Sequence, residues 1–214
     1  MMDIAIYGAG GLGKEVACLI QHINNHCPTW NLIGFFDDGV PAGTSVSHYG
    51  QVLGDIHALN AFPNELAIAV AVGNPTTVKM IVSRIANTNI SYPNLIYPDL
   101  WVADQKTLTM GKGNIIEGGC TISCDVTIGD FNLLNGFINI GHDVQIGDYN
   151  TLMPGCRLSG EVHIDSENIC GAGSFVLQQV HIGSHVKLGP GAYLFSSPKD
   201  QSTYLGNPAR IFKY

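Results

Sequence analysis

Between Met110 and Leu194 an apolar residue, or Cys170, returns at every sixth position, fifteen times without a slip, through Ile116, Ile122, Ile128, Leu134, Ile140 and onward. Two places before most of these the residue is small, branched or Asn, as at Asn114, Cys120, Val126, Asn132, Val144 and Asn150. The place after is often Gly or acidic, as at Gly111, Glu117, Gly129 and Asp165. A period of six fits neither a helix at 3.6 residues per turn nor a flat strand at 2. It fits a chain that runs a short strand, turns a corner and repeats, which is the hexapeptide signature of a β-helix. The segment from about Leu108 to Leu194 is therefore read as a left-handed parallel β-helix. Three hexads make a triangular turn of about 18 residues, with the every-sixth side chains filling a continuous interior.

Such a coil satisfies its own backbone between turns and leaves only its two ends as edges. Its flat outer faces suit side-by-side packing, so a homotrimer is the expected assembly. The 26 glycines and a charged fraction of 13% fit a turn-rich solenoid. A net charge of −7 argues against nucleic acid or an anionic membrane as partner. No basic segment leading into an apolar run opens the chain, and no apolar stretch reaches membrane-spanning length, so a cytoplasmic protein is expected. Six cysteines without a CxxC pair read as free thiols, several of them at core positions of the repeat.

Residues 1–98 obey another grammar. Asp3–Tyr7, Leu32–Phe36 and Leu66–Val72 are apolar strands, helical stretches follow at Lys14–Ile20 and Thr76–Ala86, and a fourth strand is expected near Ile90–Tyr97. Strands alternating with helices predict a parallel α/β sheet, half of a dinucleotide-binding fold, followed by the β-helix domain at 99–214. Gly8, Gly10 and Gly13 form G-x-G-x-x-G between strand and helix, with Asp37-Asp38 some two dozen residues on. Such a loop lets backbone approach a phosphate at a helix N-terminus, although a tight strand–helix turn without ligand reads the same way. Asp37 and Asp38 suit hydrogen bonds from a ribose or base, or an ordinary turn at Asp38-Gly39. Gly73-Asn74-Pro75 closes the third strand.

On the β-helix one outward segment stands apart, Asn139-Ile140-Gly141-His142-Asp143. His142 lies two places after an interior residue, near a corner. A neutral imidazole is suited to take a proton near neutral pH, and an adjacent carboxylate fixes its tautomer. A solvated surface His is the plain alternative. Cys124 and Gly160, not histidines, stand 18 residues from His142, so no zinc site is expected there. His163, His181, His185 and the four N-terminal histidines read as solvated, and no metal is expected.

The glycine loop with Asp37-Asp38, the hexapeptide β-helix carrying Gly141-His142-Asp143, and the tail Leu205-Gly206-Asn207-Pro208-Ala209-Arg210 together resemble the sialic-acid O-acetyltransferase and UDP-4-amino-sugar N-acetyltransferase family. The resemblance covers essentially the whole chain. It implies acetyl-CoA as donor, a nucleotide-sugar acceptor on a UDP-like carrier, and a trimer with sites between neighbouring β-helices. It implies His142 as general base with Asp143 as its partner. It implies Asn135 near the reaction centre, with Thr151, Gly160, Ala172, Gly173, Pro208 and Arg210 on the acetyl-CoA side. It implies Gly8, Gly10, Gly11, Gly13, Asp37, Asp38, Gly73 and Asn74 around the nucleotide-sugar. Two positions depart from the family pattern: Thr151 stands where many relatives carry a second His, and Leu12 interrupts a usual G-G-H-G. The expected reaction is N-acetylation of an amino-sugar for surface-glycan synthesis. The competing readings are O-acetylation of a sugar hydroxyl, a nucleotide-dependent oxidoreductase, and a non-catalytic trimeric binding protein.

Overall fold

The computed structural model describes residues 1–212, which divide into two units, residues 1–98 and residues 99 onward. The first unit runs β1 (Met2–Tyr7), α1 (Gly11–His26), β2 (Trp30–Phe36), β3 (Val52–Gly54), α2 (Ile56–Asn60), β4 (Leu66–Val70), α3 (Pro75–Arg84) and β5 (Ile90–Ser91). The strands form one parallel sheet in the order β3-β2-β1-β4-β5. β1 and β4 are the apolar centre. Ile4, Ala5, Ile6 and Ile68 are fully buried, as expected for parallel strands covered on both faces. α1 packs through Val16, Ala17, Leu19 and Ile20, a stripe at helical spacing.

Several boundaries differ from the sequence reading. α1 begins at Gly11 and continues to His26, through a polar last turn that carries no apolar period. α3 starts at Pro75 with Asn74 as its N-cap, accepting from the N–H of Thr77 at 3.1 Å. β3 and α2 have no counterpart in the sequence reading, because three- and five-residue elements are too short to show a period. The single strand expected near Ile90–Tyr97 is two, Ile90–Ser91 and Leu95–Ile96, separated by a stretch containing Pro93, which cannot donate to a ladder.

The second unit is a three-faced coil of two-residue strands, a left-handed parallel β-helix. Thr121 pairs with Asn139, Asn139 with Arg157 and Arg157 with Phe175, so residues 18 apart stack. The first face carries Asn139–Ile140, Arg157–Leu158, Phe175–Val176 and Tyr193–Leu194. The second carries Gln145–Ile146, His163–Ile164 and His181–Ile182, and the third Leu133–Leu134, Thr151–Leu152, Ile169–Cys170 and Lys187–Leu188. The every-sixth residues point inward: Ile116, Ile122, Leu134, Leu152, Val176 and Ile182 are completely buried. Each such aliphatic side chain contributes about 1.5–3 kcal/mol by leaving water.

The coil starts before the point where the hexad becomes regular. Trp101–Val102 pairs with Thr121–Ile122, a first turn two residues longer than the others, and the 3₁₀ turn at Gln105–Thr107 lies within it. After Leu194 the chain leaves the hexad register. It returns to the third face as Thr203–Leu205 beside Lys187–Leu188, and Arg210–Phe212 folds back antiparallel. The Asn column of the repeat now has a reason. Asn114, Asn132, Asn150 and Asn168 are buried in one corner, and each Oδ1 accepts the backbone N–H one coil further on, at 2.7–3.0 Å. An aliphatic residue there would leave those buried donors unsatisfied.

Candidate active site

His142 and Asp143 sit at the corner between the first and second faces, between the strands Asn139–Ile140 and Gln145–Ile146. On a straight strand neighbouring side chains diverge. Here Asp143 adopts φ +58°. The turn swings the two side chains together, and Nδ1–H of His142 donates to Oδ2 of Asp143 at 2.8 Å. Nε2 is then the nitrogen left to take a proton. The imidazole lies across Gly160, one coil on. A β-carbon there would stand 2.6 Å from Cε1 of His142, so only Gly leaves the ring in place.

The same corner holds a second carboxylate. Glu161 N–H donates to the carbonyl of His142 at 2.8 Å, and Glu161 Oε2 and Oε1 accept from Gln179 Nε2 and Gln178 Nε2 at 3.0 and 2.9 Å. Donation by Gln179, then by Gln178, holds the Glu161 carboxyl below the usual range. An open groove of about 400 Å³ runs beside this corner, lined by Asp143, Gln145, Glu161, Val162 and His163. Sequence reading missed Glu161. The available signal was its 18-residue stacking on Asp143.

The residues expected on the acetyl-CoA side are not gathered around His142 in one chain. Gly160 is. Asn135 and the Ala172-Gly173 pair lie at the other end of the first face, before its strands Asn139–Ile140 and Phe175–Val176. Along that edge Gly155, Gly173 and Gly191 adopt φ +75°, +66° and +64°, and a β-carbon on Gly173 or Gly191 would meet nothing within 4 Å. Thr151 is only 2% exposed. Pro208 and Arg210 belong to the exposed C-terminal hairpin.

The residues expected around the nucleotide do converge, at the carboxyl ends of β1, β2 and β4, where the strand order reverses around β1. Ligands of open α/β sheets bind at such a switch point. The glycines divide by role. A β-carbon on Gly8, at φ +116°, would stand 2.6 Å from the Ala71 carbonyl oxygen, and one on Gly13 would run into the Gly8 carbonyl. Both are required by packing. Gly10, Gly11 and Gly73 face open space, and Gly10 caps α1 with no side-chain acceptor. The N-terminal amides of α1 are thus presented toward any anion that enters.

The two aspartates also differ. Asp37 holds the loop in place, with Oδ2 accepting from Ala9 N–H at 2.8 Å, and it borders a hollow of about 500 Å³ with Gly39, Pro41, Leu53 and Asp55. Asp38 is engaged internally by Tyr7 Oη–H at 2.7 Å, Ile56 N–H at 3.0 Å and Arg84 at 2.7 Å. Burial opposes its ionisation, but donation by Tyr7, Arg84 and Ile56 outweighs that and holds the carboxyl below its ordinary range. Burial, then the Asp38 carboxylate, pushes the Tyr7 phenol up. Asn74 is likewise committed, to capping α3.

Among the described residues one group of metal-ligating side chains converges, His163, Asp165 and His181 on the second face. Among the described residues no helix is long and apolar enough to cross a membrane.

A parallel-sheet unit with an open glycine loop, followed by a left-handed β-helix bearing a His–carboxylate corner beside an open polar groove, defines a hexapeptide-repeat acyltransferase. The comparisons with known proteins specify the group. The profile described as PglD N-terminal domain matches residues 3–85. The acetyltransferase domain of PglB from Neisseria gonorrhoeae FA1090, solved in complex with acetyl coenzyme A, is 30% identical over 98% of both chains, with a TM-score of 0.86. WeeI from Acinetobacter baumannii AYE is 27% identical over 99% of this chain and 100% of its own, with a TM-score of 0.87. PerB from Caulobacter crescentus, solved with CoA and GDP-perosamine, shares the fold at 24% identity over 100% of this chain and 98% of its own, with a TM-score of 0.81. No curated protein sequence matches significantly. The chain belongs to the PglB and PglD family of sugar acetyltransferases.

Proposed function

We propose that this protein transfers the acetyl group of acetyl-CoA to the amino group of a nucleotide-linked amino-sugar, for surface-glycan synthesis. The observation that carries the proposal is the corner dyad: His142 is oriented by Asp143 through Nδ1, its Nε2 is free to accept a proton, and Gly160 makes room for the ring. The sugar amine attacks the thioester carbon, His142 Nε2 takes the proton the nitrogen sheds, and the tetrahedral intermediate collapses to amide and CoA thiolate. The thiolate then recovers a proton from His142. The N–H groups of Ser159 and Glu161 are committed to carbonyls of other coils, whereas that of Gly160 is not, so Gly160 supplies the oxyanion donor.

The open glycine loop and the α1 N-terminus take the nucleotide phosphates, with Asp37 and its adjoining hollow beside the ribose and base, and UDP is the carrier inferred. The donor residues Asn135, Ala172 and Gly173 lie at the far edge of the face that ends in His142. A site using both edges requires neighbouring prisms, as in a homotrimer, and holding donor and acceptor there supplies much of the rate. No step needs a metal. The test is a thermal-shift comparison of acetyl-CoA, a UDP-amino-sugar and NAD. The first two should raise Tm and NAD should not. Stabilisation by NAD with none from acetyl-CoA would favour an oxidoreductase.

A further inference from the structure

The second face carries a cluster of His163, Asp165 and His181 that the proposed proton transfer does not use, although His163 also borders the groove beside the catalytic corner. His163 and His181 are direct ladder partners on neighbouring coils, and their rings meet edge to face at 4.7 Å between centroids. Asp165, two residues after His163, places Oδ1 3.1 Å from His163 Nε2 and 3.0 Å from His181 Nε2. The three ligand atoms all lie within 4.8 Å of one another, and each side chain remains open to solvent. The backbone beneath them is fixed. Asp165 N–H donates to Ile182 O at 2.8 Å, its carbonyl accepts from the buried Asn150 amide at 2.8 Å, and His163 N–H donates to Val180 O at 3.1 Å.

Two imidazole nitrogens and a carboxylate oxygen form a donor set for a first-row divalent ion. Zinc bonds such atoms at about 2.0–2.2 Å in a tetrahedron, which sets ligand atoms about 3.3 Å apart. The two short edges of the cluster are already near that value, so an ion is seated by small outward rotations of side chains on a fixed backbone. Nitrogen-rich sites favour zinc, copper or nickel over magnesium or calcium, which take oxygen ligands. We propose that His163, Asp165 and His181 bind one zinc-type divalent ion on the outer face of the β-helix, with solvent in the fourth position. The ion clips two coils together. It is a structural site, separate from the reacting atoms.

The experiment uses the full-length protein after chelator treatment and dialysis. Zinc chloride is titrated calorimetrically and cobalt(II) by visible absorption. The expected result is one ion per chain, intense cobalt bands of low coordination number, and a higher Tm with zinc. His181→Ala and Asp165→Asn should each weaken uptake by at least tenfold and remove both the bands and the Tm gain, while His48→Ala leaves them unchanged. Asp165→Asn keeps the shape of the side chain and guards against a folding defect in the alanine variant. Absence of stoichiometric uptake, or uptake equal to the parent in both ligand variants (as binding at the exposed Cys27 would give), would overturn the proposal.

Discussion

The imidazole of His142 rests over the α-carbon of Gly160, so closely that a β-carbon on Gly160 would stand 2.6 Å from Cε1 of the ring. Gly160 lacks the positive φ of the corner glycines, so what it provides is space rather than an unusual backbone. Gly160→Ala should therefore fold with a Tm close to the parent, yet push the ring off its bond to Asp143. The expected loss in kcat is on the order of tenfold to a hundredfold, the scale of an ångström-level misplacement. Parent-like turnover in a folded Gly160→Ala protein would show that the ring position is immaterial.

The dyad makes an ordered pair of predictions. His142→Asn removes the base and should lower kcat by about 10² to 10⁴ with little change in acetyl-CoA affinity, because the lost interaction belongs to proton transfer. Asp143→Asn should be milder, since Asp143 only orients the ring at 2.8 Å. Steady-state kinetics with calorimetric binding of acetyl-CoA checks both. A larger loss from Asp143→Asn than from His142→Asn would reverse the roles.

The glycine loop separates packing from binding. Gly10→Val adds a side chain in open space and should lower Tm by only a few degrees, the cost of a poorer N-cap, while blocking the nucleotide-sugar and sparing acetyl-CoA. Gly13→Val drives a side chain into the Gly8 carbonyl and should destabilise the N-terminal unit itself. Calorimetry and thermal melts on the pair distinguish the two. Unchanged nucleotide-sugar binding in Gly10→Val would remove the loop from the site.

What could be read from residues alone followed the periodicities. The six-residue repeat has no alternative physical explanation, and every interior position from Ile116 to Leu194 is buried, with only Met110, near the start of the coil, half-exposed. The Asn column was visible as a pattern, but its ladder of hydrogen bonds to successive coils was not, because that depends on which corner the residues occupy. The His142–Asp143 contact needed a left-handed corner at Asp143, which sequence suggests but does not show. Glu161 and the His163–Asp165–His181 cluster went unread because the glutamines on Glu161, and His181 in the cluster, are 16 to 18 residues away and adjacent only once the coil closes. In the N-terminal unit, Asp38 borders the same hollow as Asp37, and it also accepts from Tyr7, Ile56 and Arg84, long-range partners that no local pattern reveals.

The acceptor atom proposed for this site is nitrogen. A sugar amine has a substantial free-base fraction near neutral pH, and one imidazole suffices to collect the proton it releases after attack. A hydroxyl needs stronger activation, and the position where many relatives carry a second His is here the buried Thr151. The most direct measurement is to incubate the protein with acetyl-CoA and two UDP-sugars that differ only in amine or hydroxyl at one carbon, and to follow both by mass spectrometry. A single acetyl group should be added to the amino-sugar and none to its hydroxyl counterpart; transfer only to the hydroxyl compound would overturn N-acetylation.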